Sequence, residues 1–400
     1  MKKGLTQFFE DYLKKDPVFI NKKALQTNYT PDNIPHRGDQ IQQLASILAP
    51  ALRGEKPSNV FLYGKTGSGK TCVSLYVMNQ IEEMSKKTNL EIKLCYLNCK
   101  LKKVADTEYR LIAELARSVG EDIPPTGLPT DQVYHLFLKK IDKKEQLLIL
   151  ILDEIDQIVK KAGDGILYNL TRLNSELKNC QLSIIGISND LMFTEGLDPR
   201  IKSSLGEEEL VFPPYNALQL QDILRDRSSI AFRESAIGQG VIEKCAAYAA
   251  REHGDARRAL ELLRVAGDLT ERSSETKILV EHLDDAEEKI EKDRVLDLVK
   301  IQPKQFQLAL YAILGTCNGS RKNFTGEVFD FYSGCCKKVG LLPLTQRRIS
   351  DIISELDMLG IINAKVISKG RYGRTREISV AIPESTVPQI SGVLKEGLGL

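Results

Sequence analysis

No window of the 400-residue sequence approaches the roughly 18 to 20 consecutive apolar residues that a membrane-crossing helix needs. The first ten residues, Met-Lys-Lys-Gly-Leu-Thr-Gln-Phe-Phe-Glu, lack the uninterrupted apolar core of a secretory leader. Eight cysteines are present, yet no two are spaced Cys-x-x-Cys. The closest sets, Cys95/Cys99 and Cys335/Cys336, have no histidines at zinc spacing, so a thiolate metal centre is not expected. Cys72, Cys180 and Cys245 lie in apolar patterns, where a reduced thiol packs as a small hydrophobe, as fits a reducing cytosol. Low-complexity tracts and clear repeats are also lacking. With 42% hydrophobic and 28% charged residues, the chain reads as soluble, globular and intracellular, without a membrane partner.

Net charge is scarce too. A formal +2 excludes a strong field over the whole molecule, but its distribution is uneven. Between Lys300 and Glu377 there are 13 lysines and arginines against 6 acids; this excess of +7 leaves the rest of the chain at −5. The basic charge belongs to the C-terminal end.

The length calls for two or three cores. After a leader (1–28), short apolar strands at Asn59–Tyr63, Ile92–Asn98, Leu147–Leu152 and Ser183–Ser188 alternate with helical periodicity. That alternation predicts an α/β parallel-sheet domain over 29–214, with a helical segment at about 104–143. From 215 to 295 only helical periodicity persists, predicting a small all-α domain, and a third unit occupies 300–400.

Gly64-Lys65-Thr66-Gly67-Ser68-Gly69-Lys70-Thr71 matches G-x-x-x-x-G-K-[ST], and it joins a predicted strand to a predicted helix, the context that gives the motif meaning. Glycines let successive N–H groups point at phosphate oxygens, and the helix N-terminus adds partial positive charge. Lys70 is expected on the β- and γ-phosphates of ATP or ADP, and Thr71 on Mg²⁺. Leu147-Leu-Ile-Leu-Ile-Leu-Asp153-Glu154 sets two carboxylates at the end of a buried strand. Asp153 is expected to hold Mg²⁺ and Glu154 to polarise the attacking water. Asn189, ending the next apolar strand, is placed to orient that water or meet the γ-phosphate, since α/β sheets bind ligands beyond the carboxyl ends of their strands.

These motifs, with Leu197-Asp-Pro-Arg200-Ile-Lys-Ser-Ser204 and Gly254-Asp-Ala-Arg257-Arg-Ala-Leu260, resemble in their order the AAA+ ATPases. More narrowly they resemble the archaeal origin-recognition and cell-division-control initiator family, over about Tyr29 to Val380. The resemblance implies that Ile34-Pro-His36-Arg37 lies near the adenine and that Tyr215 joins the nucleotide contacts. It also implies that Arg200 is an arginine finger toward a neighbouring subunit's γ-phosphate, that Arg257 is the second sensor on a lid, and that 104–143 is the initiator insertion. A guanidinium suits both roles because it keeps its proton beside a transferring phosphoryl group.

In the third unit, Thr345 to Leu359 is an amphipathic helix with Ile349, Ile352, Ile353, Leu356 and Leu359 inward. Gln346, Arg347, Arg348 and Ser350 are expected to meet DNA in the major groove. Two alternating strands then flank Lys369-Gly-Arg371-Tyr372-Gly-Arg374, a basic tip suited to a minor groove. Together they predict a winged helix, again like the initiator family. The implied function is an ATP-dependent, slowly hydrolysing, nucleoid-associated initiator of replication in the cytoplasm. It would bind double-stranded origin DNA, self-associate or pair with a paralogue there, and recruit the replicative helicase. A winged-helix transcription regulator of the signalling-ATPase type and a clamp-loader-like remodelling enzyme stay open as alternatives.

Overall fold

The computed structural model describes residues 9, 16–27, 29–88, 90–100, 107–124, 127–205, 207–317, 323–368, 374–383 and 385–400. The chain divides into two compact units, Met1–Leu283 and Asp284–Leu400. Among the described residues, no helix is long and apolar enough to cross a membrane.

The first unit is built on a five-stranded sheet of β1 (Asn59–Gly64), β2 (Ile92–Asn98), β3 (Gln146–Asp153), β4 (Cys180–Ser188) and β5 (Glu207–Phe212), in the order β2-β3-β4-β1-β5. Every neighbouring pair is parallel. The six-residue apolar run of β3 is needed because both faces are covered. Leu147, Ile149 and Ile151 pack with residues of α1 (Gly38–Leu48) and α2 (Lys70–Thr88). Leu148, Leu150 and Leu152 pack on the other face with α3 (Glu108–Ser118), α4 (Thr130–Ile141), α5 (Ile155–Ala162) and α6 (Gly165–Arg172). The helical segment expected as an insertion therefore contributes Leu111, Leu115, Val133 and Phe137 to the core. Strand β5 was not singled out in the sequence, because its Glu-Glu-Glu start masks an edge strand that buries Leu210 and Phe212.

A short helix, α7 (Pro199–Leu205), precedes β5, and three helices follow it: α8 (Ala217–Ala231), α9 (Val241–Arg251) and α10 (Ala256–Ser273). Asn216 and Gln219 cap α8 reciprocally, each side chain accepting the other's backbone N–H at 2.9 and 3.0 Å. Residues 16–27 of the polar-looking leader are folded onto these helices. Phe19 stacks on Phe232 at 4.8 Å, and the N–H groups of Val18 and Phe19 donate to Glu271 Oε1.

The second unit holds α12 (Lys304–Thr316), α13 (Thr325–Val339), α14 (Gln346–Met358) and α15 (Val387–Leu398). Beside them lies a three-stranded antiparallel sheet of β6 (Asn323–Phe324), β7 (Ile362–Ser368) and β8 (Arg374–Val380), ordered β6-β8-β7. The boundary between the units falls within α11 (Val280–Lys300). This is a winged helix. Ile349, Ile352, Ile353 and Leu356 enter its core, but Leu359, also expected inward, is 37% exposed. The helix ends at Met358 and Gly360 takes φ 71°, so the reversed chain buries Ile361 instead.

Candidate functional site

The phosphate loop leaves β1 beneath the N-terminus of α10. Ala256 N–H donates to the Gly67 carbonyl at 3.3 Å. Gly67 has φ 70°, and a Cβ there would lie 1.7 Å from Asp255 Oδ1, so only glycine admits the helix this close. Asp255 caps α10, accepting from Arg257 N–H at 2.8 Å and Arg258 N–H at 3.3 Å.

The turn before this cap is equally tight. Gly254 has φ 69°, and a Cβ would stand 2.2 Å from the Tyr215 carbonyl. Gly254→Ala should cost about 1–3 kcal/mol through backbone strain and crowding, lowering the melting temperature of the intact chain by about 1–2 °C per kcal/mol. Scanning calorimetry checks this, and an unshifted transition would show that the Tyr215 turn yields freely.

Lys70 is 5% exposed. Its Nζ donates to the Gly64 carbonyl at 2.8 Å, the Lys65 carbonyl at 2.9 Å and Asn189 Oδ1 at 2.9 Å. Burial pushes the Lys70 ammonium down to about 8, against the opposing pull of Asp153, with Arg257 adding to the depression. Thr71 Oγ1 donates to Asp153 Oδ2 at 3.0 Å, and Tyr96 of β2 donates to the same oxygen at 2.8 Å. Tyr96 is held in its phenol form, pushed up by burial and by Asp153. Glu154 N–H donates to Asp153 Oδ1 at 2.9 Å. Glu154 itself sits at φ 54°, a left-handed conformation unusual for a glutamate, and its carboxylate lies 3.5 Å from Lys100 Nζ. Behind these groups the buried Asp156 accepts from Ser188 Oγ at 3.2 Å, locking the end of β4 to the start of α5.

Lys70, Thr71, Asp153, Glu154, Asn189, Tyr215 and Arg257 line one cleft of about 670 Å³. Residues scattered over almost the whole of the first unit thus converge on one site. The cleft is also lined by Gln26 and Thr27 of the leader, by Tyr29 to Pro35 just after it, and by Ile223, Arg227 and Leu260 of the helices. Arg227 is buried, stacks 4.5 Å over the Tyr29 ring, and donates to the Ala24 and Tyr29 carbonyls at 3.3 and 3.4 Å. Neither Arg227 nor Tyr96 was legible as a site residue, since each is an isolated side chain in an ordinary helix or strand pattern.

Two expected contacts are placed otherwise. His36 is exposed, its Nε2 3.0 Å from Asp222 Oδ2, and Arg37 is 2% exposed behind the loop. Neither lines the cleft. Arg37 donates to the Ser68 carbonyl at 2.9 Å and the Pro213 carbonyl at 2.5 Å, and stacks 3.9 Å from the Tyr215 ring. It braces the phosphate loop instead of facing a base. Arg200, on α7, is 86% exposed at its side chain, pairs with Asp198 at 3.2 Å and lies outside the cleft.

The residues fit a nucleoside triphosphate with a divalent cation. The Thr71 hydroxyl and Asp153 carboxylate supply hard oxygen ligands side by side, and the buried Ser68 hydroxyl has no hydrogen-bond partner among the described residues.

On the second unit, Thr345 caps α14 by accepting from Arg348 N–H at 3.3 Å, leaving Gln346, Arg347 and Arg348 exposed in the first turn. Arg348 is drawn toward Asp351 at 3.7 Å and Glu355 at 4.0 Å. Ser350 is half-buried. Lys369, Arg371 and Tyr372 lie outside the described residues, as does the side chain of Arg374, which begins β8.

Comparison with known proteins adds three family matches: "AAA domain" over residues 53–192, "Cdc6 AAA+ ATPase-type lid domain" over 221–288, and "CDC6, C terminal winged helix domain" over 297–389. The chain is 53% identical over 383 residues to ORC1-type DNA replication protein 1 of Methanosarcina mazei, covering 95% of this chain and 92% of that one. It is 51% identical over 391 residues to the ORC1-type DNA replication protein of Thermococcus onnurineus, covering 96% and 94%. The solved structure of the Aeropyrum pernix ORC1 protein in complex with DNA superposes with a TM-score of 0.84 at 44% identity, over 96% of this chain and 98% of that one.

Proposed function

The chain belongs to the ORC1-type family of archaeal DNA replication proteins, and from that premise we propose that it is an ATP-dependent initiator that binds double-stranded origin DNA and recruits or loads the replicative helicase. ATP serves mainly as a conformational ligand, and slow hydrolysis to ADP resets the state. The chain acts on the nucleoid in the cytoplasm, with further copies or a paralogue on the same DNA. The observation that carries this reading is the docking of α10 on the phosphate loop: Ala256 bonds to Gly67, and Arg257 shares the cleft with Lys70. Phosphate charge in the loop is thereby felt directly by the lid, which couples nucleotide state to domain posture.

Each residue's work follows from its placement. The loop N–H groups and Lys70 neutralise phosphate charge, and Thr71 and Asp153 hold Mg²⁺. Magnesium, when bound, supplies charge neutralisation on the phosphates. Glu154 accepts the proton of the attacking water, and Asn189, already bonded to Lys70, orients that water. Arg200 faces outward, as a residue acting on a neighbouring copy must.

Lys70 gives this reading a pH signature. Its proton leaves the ligand-free site near pH 8, whereas phosphate favours the protonated form. Nucleotide affinity should therefore fall about tenfold per pH unit above that point, with uptake approaching one proton. In the ligand-free chain the sign is opposite: a lysine depressed below its unfolded value of 10.5 favours the fold increasingly as pH rises from about 8 to 10.5. Calorimetry at pH 9 in buffers of different ionisation heat measures the uptake, and none at all would remove Lys70 from the phosphates. The function itself is tested by genome-wide footprinting in cells, with Lys70→Ala alongside. Footprints clustered at replication start sites and lost in the variant are expected, whereas footprints at scattered promoters would replace the initiator by a transcription regulator.

A further inference from the structure

Arg376 was not among the expected DNA contacts, yet it makes a connection that spans the winged helix. It lies on β8, two residues after Arg374 and opposite Val366 of β7. One terminal nitrogen, NH1, donates to both the Ser350 carbonyl and Ser354 Oγ of α14, each at 2.6 Å. Ser354 Oγ donates in turn to the same Ser350 carbonyl at 3.0 Å, closing a three-membered network. Among the described residues no carboxylate pairs with Arg376, so its hydrogen bonding is directed at the helix and not at an acid. A charge-assisted bond from a guanidinium is short and directional, well suited to fixing a distance.

We propose that Arg376 is a positioning residue that sets the angle between the helix α14 and the wing strands, and so aims the first turn of α14 at base edges. The inference rests on the reading that α14 enters duplex DNA. Among the described residues the helix has two polar ties to the sheet. At its C-terminal end Asp357 Oδ1 accepts from Ala364 N–H at 2.9 Å, where the chain turns into β7. A helix fixed only there can pivot about that end. The Arg376 tie sits seven residues nearer the N-terminus, about 10 Å along the axis at 1.5 Å per residue, and one turn below Gln346 and Arg347. It holds the end that would read sequence. Its loss tilts that turn without emptying the core, because Ile349, Ile352, Ile353 and Leu356 still pack beneath the helix.

Base readout demands accurate hydrogen-bond geometry, while phosphate contacts tolerate small shifts, so a positioning residue acts on sequence discrimination. The experiment uses the full chain, a duplex enriched by the wild-type protein from a random-sequence pool, and the unselected pool. Arg376→Ala should lower the ratio of selected to unselected affinity at least tenfold, while the slope of log K against log salt keeps its wild-type value. Ser354→Ala, which removes one acceptor and leaves the wing untouched, should shift the ratio in the same direction by less, and the double variant should be no worse than Arg376→Ala alone. Arg376→Lys should restore part of the ratio. A slope reduced by about one would make Arg376 a phosphate ligand and overturn the inference, as would an unchanged ratio in a folded variant. If Arg376→Ala melts early, Ser354→Ala carries the test. Failure of the wild-type chain to enrich any duplex would instead overturn the DNA-reading role itself.

Discussion

Replacing Glu154 by glutamine is expected to leave nucleotide binding intact and to cut hydrolysis by about 10²- to 10³-fold, within the range for losing a general base. The amide has the size of the carboxylate and keeps an accepting oxygen, but it cannot take a proton from water. Position favours Glu154 over its neighbour for this task. Both oxygens of Asp153 are engaged, by Thr71 and Tyr96 on one and the Glu154 N–H on the other, as befits a fixed ligand. Glu154 is bonded less tightly, 3.5 Å from Lys100, on backbone at φ 54° that turns its side chain into the cleft. Single-turnover hydrolysis and equilibrium nucleotide binding, measured on the same preparation, separate the steps. Turnover at the wild-type rate would exclude Glu154 from the chemistry, and loss of binding would make it a structural residue of the loop.

Arg347→Ala should weaken binding to a selected duplex by about 1–3 kcal/mol, roughly 5- to 150-fold, and relax discrimination at one base position. Arg347 stands exposed in the first turn of α14, where recognition helices present base contacts. Arg348, its neighbour, is drawn along the helix toward Asp351 and Glu355, so Arg348→Ala should cost less. Competition binding against single-base variants of the duplex distinguishes the two. Equal weakening on every sequence, with a salt slope reduced by about one, would reassign Arg347 to the phosphate backbone.

Much of the geometry around the phosphate loop is legible in the sequence because it is local. The loop from Gly64 to Thr71 is one contiguous strand-turn-helix junction, and Asp153 follows six apolar residues that only a doubly covered strand explains. Other contributions were hidden for an identifiable reason. Arg227 reaches the Ala24 carbonyl across 203 positions, and Lys70 reaches Asn189 across 119. Periodicity reports which face of an element is buried, not which distant element lies against it. Arg37 illustrates the difference. Its side chain passes behind the loop to the Ser68 and Pro213 carbonyls, contacts that no local pattern announces. Strand β5 escaped because an edge strand tolerates outward glutamates that a central strand excludes.

The amino-acid order alone determined the parallel α/β sheet, the phosphate loop, the Asp153–Glu154 strand end and the amphipathic α14, because glycine torsions, apolar period and charge at strand ends are short-range properties. Tertiary structure alone decided that Tyr29 to Pro35 line the cleft, that α10 rests on Gly67, and that Arg376 ties wing to helix. Those contacts depend on the directions in which packed elements deliver their side chains, and packing is settled by the whole core together, not by any segment of it.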